Sequence, residues 1–481
     1  MQEEKSPQLT DLLQQAQAAR LANQLDLAAH LLGTAFEKHP DALPVAWELA
    51  LLHQQRGEWP EARDCLELIL AKEPLNAQAL NALGMAWQAQ RNLSQAIECW
   101  QKAVSINPEY ADVWQNIGLA YEHLNQLPEA ISAHQRVVSL LPQDSKAHRL
   151  LGMAQLDYSL LPAANLCFER ALELDPNDPE NLWQRFFIRA LAGDFPNAWQ
   201  DYECRFKLQS RTTPDHGFTQ PRWKGEPLPE QTILLHAEQG FGDTIQMIRY
   251  APRVSELVNK VIIWIPKPLE KLMDTVEGID RVITHYSAST QFDVHLPLMS
   301  LPGVFQDSLE SIPTRTPYLG ATPFHENTRP IQKVGISWAG SGTQPLDRRS
   351  VPFEHFYTLF QDSSIEWHNL QHDSPTPSGL VDHSSEMADF SATADIIDSM
   401  DLIITIDSAI AHLAGAMGKP VWVLLNFAAD WRWGLDKNHT PWYPSARLFR
   451  QSTNQPWSSV MANIQSTLIK QKKGAPKPYP F

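Results

Sequence analysis

An interval of 34 residues runs through the N-terminal part of the chain. Pro40, Pro74, Pro108, Pro142 and Pro176 keep it, and so do Gly84, Gly118 and Gly152. The alanines Ala28, Ala62, Ala96, Ala130 and Ala164 repeat at the same spacing, with Ala198 still in register. One period, "ADVWQNIGLAYEHLNQLPEAISAHQRVVSLLP", reads as an amphipathic helix, a short turn and a second helix that ends before proline. The glycine and the alanine let the two helices of a hairpin approach closely, and the proline stops the second helix. Cys65, Cys99 and Cys167 share one position of the register and are expected to be packing residues.

This period resembles the tetratricopeptide repeat, with about five units over residues 7–178 and a degenerate capping unit to about 206. Such stacks present a concave groove formed by the first helix of each hairpin. By the register that groove receives Gln78, Asn81 and Met85, then Asp112, Gln115 and Glu122, then Lys146, Arg149 and Met153. The mixture suits an extended peptide or protein segment, although the solvated face of a structural spacer would look similar.

Bulk composition limits the partners. A chain of 481 residues holds two or three domains. A formal net charge of -16 repels nucleic acid and anionic membrane surfaces at long range, so neither is expected as a main partner. The opening "MQEEKSPQLTDLLQQAQ" lacks the cationic and apolar regions of a signal peptide, and no apolar run is long enough to span a bilayer, so no integral membrane segment and a cytoplasmic location are expected. The four cysteines are scattered singly, which suggests neither a zinc knuckle nor a disulfide framework. The basic end, 471–481, reads as a solvated tail.

Between 207 and 231 the period stops and a proline-rich polar stretch reads as a linker. Beyond it, short apolar runs alternate with helical stretches, first over 232–325 and again over 332–470, with the break "TRTPYLGATPFHENTRPIQ" between them. Alternation of this kind indicates parallel sheets with helical crossovers. The expected fold class is thus α + α/β, a repeat solenoid followed by a pair of Rossmann-like units with a ligand cleft between their strand ends.

Two strand-end loops could carry chemistry. In "HAEQGFGDTIQ" a strand ends near Glu238, Gly240 and Gly242 make a turn, and Asp243 and Thr244 open a helix. The glycines allow a ligand to approach the backbone, but Asp243 could equally cap its helix. The third glycine of a dinucleotide fingerprint is missing. In "DLIITIDSAIAHLAGAMGKPVWVLL" a buried strand ends at Asp407-Ser408 and a helix of small residues follows, which directs first-turn amides and the positive helix end at the cleft, a ready diphosphate site. The competing reading is a capped structural helix with His412 buried against the sheet.

Taken in order, "GFGDTIQ", "VGISWAGSG" and "DSAIAHLAGAMGKPVW" resemble the ADP-heptose:lipopolysaccharide heptosyltransferases, family 9 glycosyltransferases of the two-Rossmann GT-B fold. The whole chain, with its closing "DWRWGLDKNHTPWYPSARLFRQ", is similar to bacterial tetratricopeptide-repeat proteins that carry this domain. The resemblance implies a nucleotide-diphosphate sugar as donor and co-substrate, with no resident cofactor and no metal. It implies Asp243 as the general base toward the acceptor hydroxyl, and Asp407, Ser408, Ala409 and His412 as the donor loop. Trp338, Ala339 and Gly340 would line the cleft, and Arg348 and Arg349 would meet the leaving phosphate. The chain departs from the family in three places: "WAGSGTQPLDRR" has no lysine, so arginine does that work or the donor differs, the third donor-loop position is Ala409 instead of glycine, and the first Rossmann-like unit, 232–325, is short for this fold. The reaction implied is inverting transfer. The alternative is a protein-interaction scaffold whose glycosyltransferase-like half is catalytically silent.

Overall fold

A computed structural model describes residues 9–208, 213, 216–287, 289–320, 331–340, 349–372, 374–435, 438–452 and 455–473. The period becomes helical hairpins. Helices α1 (Leu9–Leu21) and α2 (Leu25–Lys38), α3 (Leu43–Arg56) and α4 (Trp59–Lys72), α5 (Ala77–Ala89) and α6 (Leu93–Ile106), and α7 (Ala111–His123) and α8 (Leu127–Leu140) pair in order. Helices α9 (Ser145–Asp157), α10 (Leu161–Leu174), α11 (Pro179–Ala192) and α12 (Phe195–Tyr202) follow. Each periodic proline lies two residues beyond its helix, and all six periodic alanines are fully buried. A methyl group added to Gly84 would come within 2.3 Å of the Trp100 indole, and one added to Gly118 within 2.4 Å of the His134 ring, so glycine is what admits these side chains.

The turn inside every hairpin places one residue in the left-handed region, again at 34-residue spacing. Asn23, Gly57, Arg91, Asn125, Ser159 and Gly193 have φ of 59°, 76°, 61°, 57°, 63° and 81°. Glycine and asparagine suit that conformation, whereas Arg91 adopts it because the packing of α5 on α6 fixes the turn.

The chain divides into two compact units, Met1–Asp157 and Tyr158–Phe481. The expected solenoid boundary near 206 therefore marks a change of sequence pattern but not the edge of a compact body. The last helices are seated on the α/β part: Trp199 Nε1 donates to the Asp307 carbonyl at 3.2 Å, and Arg205, 1% exposed, forms a two-pronged pair with Glu238. Phe186 and Trp199 close on Trp431 at 5.6 and 5.4 Å. Aromatic burial of this kind outweighs sequence continuity in deciding which unit a helix joins.

The first α/β lobe is a parallel sheet ordered β3-β2-β1-β4, built from β1 (Leu228–His236), β2 (Val258–Trp264), β3 (Arg281–Ile283) and β4 (Val294–Pro297). Helices α13 (Phe241–Met247), α14 (Ala251–Ser255) and α15 (Glu270–Met273) lie in its crossovers, and α16 (Leu301–Val304) follows β4. Strand β1 begins four residues before the expected domain start, and the segment expected to be a linker is seated on this sheet: Trp223, 1% exposed, donates its backbone N–H to the His295 carbonyl. The second lobe is a parallel sheet ordered β10-β9-β8-β5-β6-β7. Its strands are β5 (Lys333–Ser337), β6 (Glu366–Asn369), β7 (Val381–Asp382), β8 (Leu402–Ile406), β9 (Val421–Leu425) and β10 (Ala446–Arg450), with helices α17 (Phe390–Asp398), α18 (Ala409–Ala416) and α19 (Trp457–Lys473). Strands β8 and β9 are buried along their whole length, the mark of a sheet covered on both faces.

Strand order fixes where a ligand can sit. In the first sheet the crossover direction reverses between β1 and β4, and in the second between β8 and β5, with Val334 beside Leu402 and Ser337 beside Thr405. Crevices open outside the carboxyl ends of strands at such points. The glycine loop after β1 and the Asp407-Ser408 turn after β8 occupy these two places.

Candidate functional site

At the end of β1 the chain turns through Gly240 into α13. Asp243 caps that helix, its Oδ2 accepting from the Gly240 N–H at 3.0 Å, and the Thr244 hydroxyl bonds the Gly240 carbonyl. Gly242 faces the second lobe. A methyl group there would lie 2.7 Å from His412 Cδ2, so α13 packs directly on α18 and only glycine permits it.

On the facing side Ser408 precedes α18 in extended backbone. Its hydroxyl turns to Thr405 Oγ1 at 3.1 Å instead of capping, and its carbonyl accepts from the Ala411 and His412 amides. The amides of Ala409 and Ile410 are first-turn donors with no acceptor inside their own helix. Asp407, 13% exposed on its side chain, lies 4.0 Å from His412 Nε2. Burial pushes its carboxyl up to about 6, helped by the neighbouring Asp430 and opposed by Arg432 and Arg349. A carboxyl raised in this way sheds its negative charge as pH falls below about 6.

His412 is 5% exposed, bonded through Nδ1 to the Tyr443 hydroxyl at 2.8 Å and stacked on Trp433 at 5.5 Å. Burial and the charges of Arg432 and Arg249 hold it neutral, well below the usual histidine range. His412 is thus buried within its lobe, as one of the two readings of the sequence expected.

The remaining sequence candidates fall into two groups. Arg349 reaches the loop, its Nη1 lying 3.5 Å from the Asp407 carbonyl, and Arg348 lies outside the described residues. At the end of β5, the Trp338 indole packs in the lobe core against Phe353 at 4.6 Å, so its side chain is a core element and not a cleft wall. The backbone amides of Trp338 and Ala339 donate to Gln371 Oε1, and that of Gly340 to the Ser350 hydroxyl, which leaves these three amides committed to the protein. Asn81, Gln115 and Arg149 are half-buried on α5, α7 and α9 in the other compact unit. Asn81 lies within hydrogen-bonding range of the Tyr110 hydroxyl and of Asn116.

Sequence reasoning missed the residue that ties the glycine loop to the second lobe. Arg432 Nη2 donates to Asp243 Oδ1 at 2.5 Å, Nε to Gln246 Oε1 at 2.7 Å and Nη1 to Asp430 Oδ1 at 2.8 Å. Its position was open to inference, because β9 neighbours β8 and the loop after β9 must emerge beside Asp407. Arg249 was also missed. It is 4% exposed and donates to the carbonyls of Gln246, Pro313 and Trp442 and to the Tyr318 hydroxyl, while lying over the Tyr443 ring at 4.8 Å. The arrangement can seat an anion beside two first-turn amides with no acceptor in their own helix and an arginine, with a carboxylate facing it from the other lobe.

No helix among the described residues is long and apolar enough to cross a membrane, and no cluster of three or more histidine, cysteine, aspartate or glutamate side chains among them could hold a metal.

Comparison with known proteins follows the same division. Residues 19–86 match the tetratricopeptide repeat and residues 89–125 a related TPR repeat model, while residues 387–478 match glycosyltransferase family 9 (heptosyltransferase). That last span contains Asp407, Ser408, His412, Asp430 and Arg432, but neither Asp243 nor Arg349. Protein FlbA of Caulobacter vibrioides is 25% identical over 333 residues, 60% of this chain. The chain spans little more than half of that relative, 56%. Among solved structures, the crystal structure of MamA protein is 23% identical, with a TM-score of 0.33, over 35% of this chain and 92% of that one. Pseudomonas aeruginosa pilF is 16% identical, with a TM-score of 0.38, over 42% of this chain and 93% of that one. The chain joins tetratricopeptide repeats to a glycosyltransferase family 9 (heptosyltransferase) domain.

Proposed function

We propose that the protein is a glycosyltransferase that moves a sugar from a nucleotide-diphosphate donor to an acceptor hydroxyl, by inversion and without a metal, and that its repeats hold a protein partner or the acceptor itself. The observation that carries this reading is the packing against each other of two switch-point segments, Gly240–Asp243 and Asp407–His412, with Gly242 set directly on His412. The acceptor oxygen attacks the anomeric carbon as the bond from that carbon to the diphosphate breaks. The bonding pair leaves with the diphosphate, and the hydroxyl proton passes to the Asp243 carboxylate. First-turn amides of α18 and Arg349 neutralise the leaving group, a role that protein donors fill without a cation. The nucleotide sugar is a co-substrate, and no resident cofactor is invoked.

Calorimetry with a panel of nucleoside diphosphates and nucleotide sugars tests this, with Asp407→Ala and Arg349→Ala beside the native chain. Selective binding of one nucleotide sugar, weakened in both variants, is the expected result. A folded protein that binds none of them would instead be the silent scaffold, a reading favoured by the engagement of both oxygens of Asp243.

A further inference from the structure

Arg432 is bonded from both α/β lobes at once. From the first lobe Asp243 and Gln246 take Nη2 and Nε, and from the second Asp430 takes Nη1 and also the Arg432 backbone N–H at 3.0 Å. A guanidinium carries five N–H donors, and three are bonded here, so each terminal nitrogen keeps one donor without an acceptor among the described residues. The group is buried, 11% exposed, and close enough to act electrostatically on Asp407 and His412 of the donor loop. Asp243, for its part, has Oδ2 on the Gly240 amide and Oδ1 under the guanidinium. An acceptor hydroxyl seeking that carboxylate must compete with Arg432.

We infer that Arg432 is a ligand of the donor diphosphate which Asp243 holds back until the donor arrives, and that an arriving diphosphate draws the guanidinium off Asp243. The inference rests on the glycosyltransferase reading above. Its chemical basis is a contest between two anions for one cation: a diphosphate carries more charge than a carboxylate and accepts two N–H groups side by side, which suits the planar fork of arginine. Asp430 keeps its grip on the Arg432 backbone, so the guanidinium swings about a fixed anchor. The consequence is an order of events. The carboxylate that faces the acceptor becomes available only after the donor is seated, which disfavours proton removal from a hydroxyl with no sugar to attack.

A permanent strut between the lobes would show the same bonds, and the two differ in what removal of the competing charge does. Asp243→Asn keeps an acceptor for the Gly240 amide and leaves Arg432 without its rival anion. The experiment is calorimetric titration of the full chain with ADP, GDP, UDP and CDP, using native protein, Asp243→Asn, Arg432→Gln and the double variant. Exchange predicts that Asp243→Asn tightens the diphosphate that binds by about tenfold, a span common for coupled charges. Arg432→Gln weakens it by about tenfold or more, and in that background Asp243→Asn brings no gain. Unchanged or weaker binding by Asp243→Asn overturns the inference, as does equal tightening with Arg432 removed. If Arg432→Gln does not fold, the Asp243→Asn result decides alone. If native protein binds none of the four, the glycosyltransferase reading falls first and this one with it.

Discussion

Gly242→Ala isolates the contact between the two loops. The substitution suits the backbone, since Gly242 lies in α13 and an alanine within a helix gains about 1 kcal/mol over glycine. The new methyl group would nevertheless lie 2.7 Å from His412 Cδ2 and 3.4 Å from Nε2, about 1 Å inside ordinary carbon contact distance. His412 has little room to yield, being 5% exposed, bonded to Tyr443 and stacked on Trp433. Overpacking costs about 1–3 kcal/mol, and against a side chain held this firmly about 2–3 kcal/mol, so a net loss of about 1–2 kcal/mol remains after the helical gain. Thermal unfolding followed by tryptophan fluorescence should show a fall of roughly 2–6 °C for the unit that contains the site. Gly240→Ala serves as control, because its methyl group would meet only Asp243 Oδ2, at 3.3 Å, in a backbone conformation open to any residue. A Gly242→Ala protein as stable as the native chain, or more so, would mean that His412 moves freely and that the two loops are not locked together.

Three further outcomes follow from the same geometry. Arg249→Met removes the donor from three carbonyls and a phenol inside the second compact unit, and should lower stability in guanidinium unfolding by about 3 kcal/mol or more, a loss under 1 kcal/mol contradicting the bond inventory. Gly118→Ala drives a methyl group to 2.4 Å from the His134 ring, which is itself bonded to Glu122, and should cost the repeat unit about 1–3 kcal/mol, with no loss counting against tight hairpin packing. For Asp407, raised to about 6 by burial and Asp430, the folded chain holds a proton that the unfolded chain has released between about pH 4 and pH 6, so stability falls as pH rises through that window and is level above it. Asp407→Asn should remove the slope, the variant gaining up to about 3 kcal/mol relative to native between pH 4 and pH 7. A stability difference that does not change with pH in denaturant unfolding would contradict the burial argument.

Periodicity was the most legible property of this chain. The alanines, glycines and prolines spaced by 34 residues named helix contacts and helix ends that the hairpins display, because those constraints act within one repeat and between neighbours. The alternation of β8, α18 and β9 was equally legible, since a strand buried on both faces is continuously apolar whatever surrounds it. Short edge elements were not: β7 has two residues, and β10 reads "ARLFR", whose arginines mask its strand character.

The site divides in the same way. Sequence alone determined the two loops, the glycine at Gly242 and the acid-hydroxyl turn at Asp407-Ser408, since a strand-to-helix turn is a local event. Only the tertiary structure decided that Trp338 belongs to the core, that helices α10–α12 join the α/β unit, and that Arg432 ties Asp243 to Asp430. Asp243 and Arg432 stand 189 residues apart, and such a pair is set by strand order in two sheets, a property no local pattern encodes.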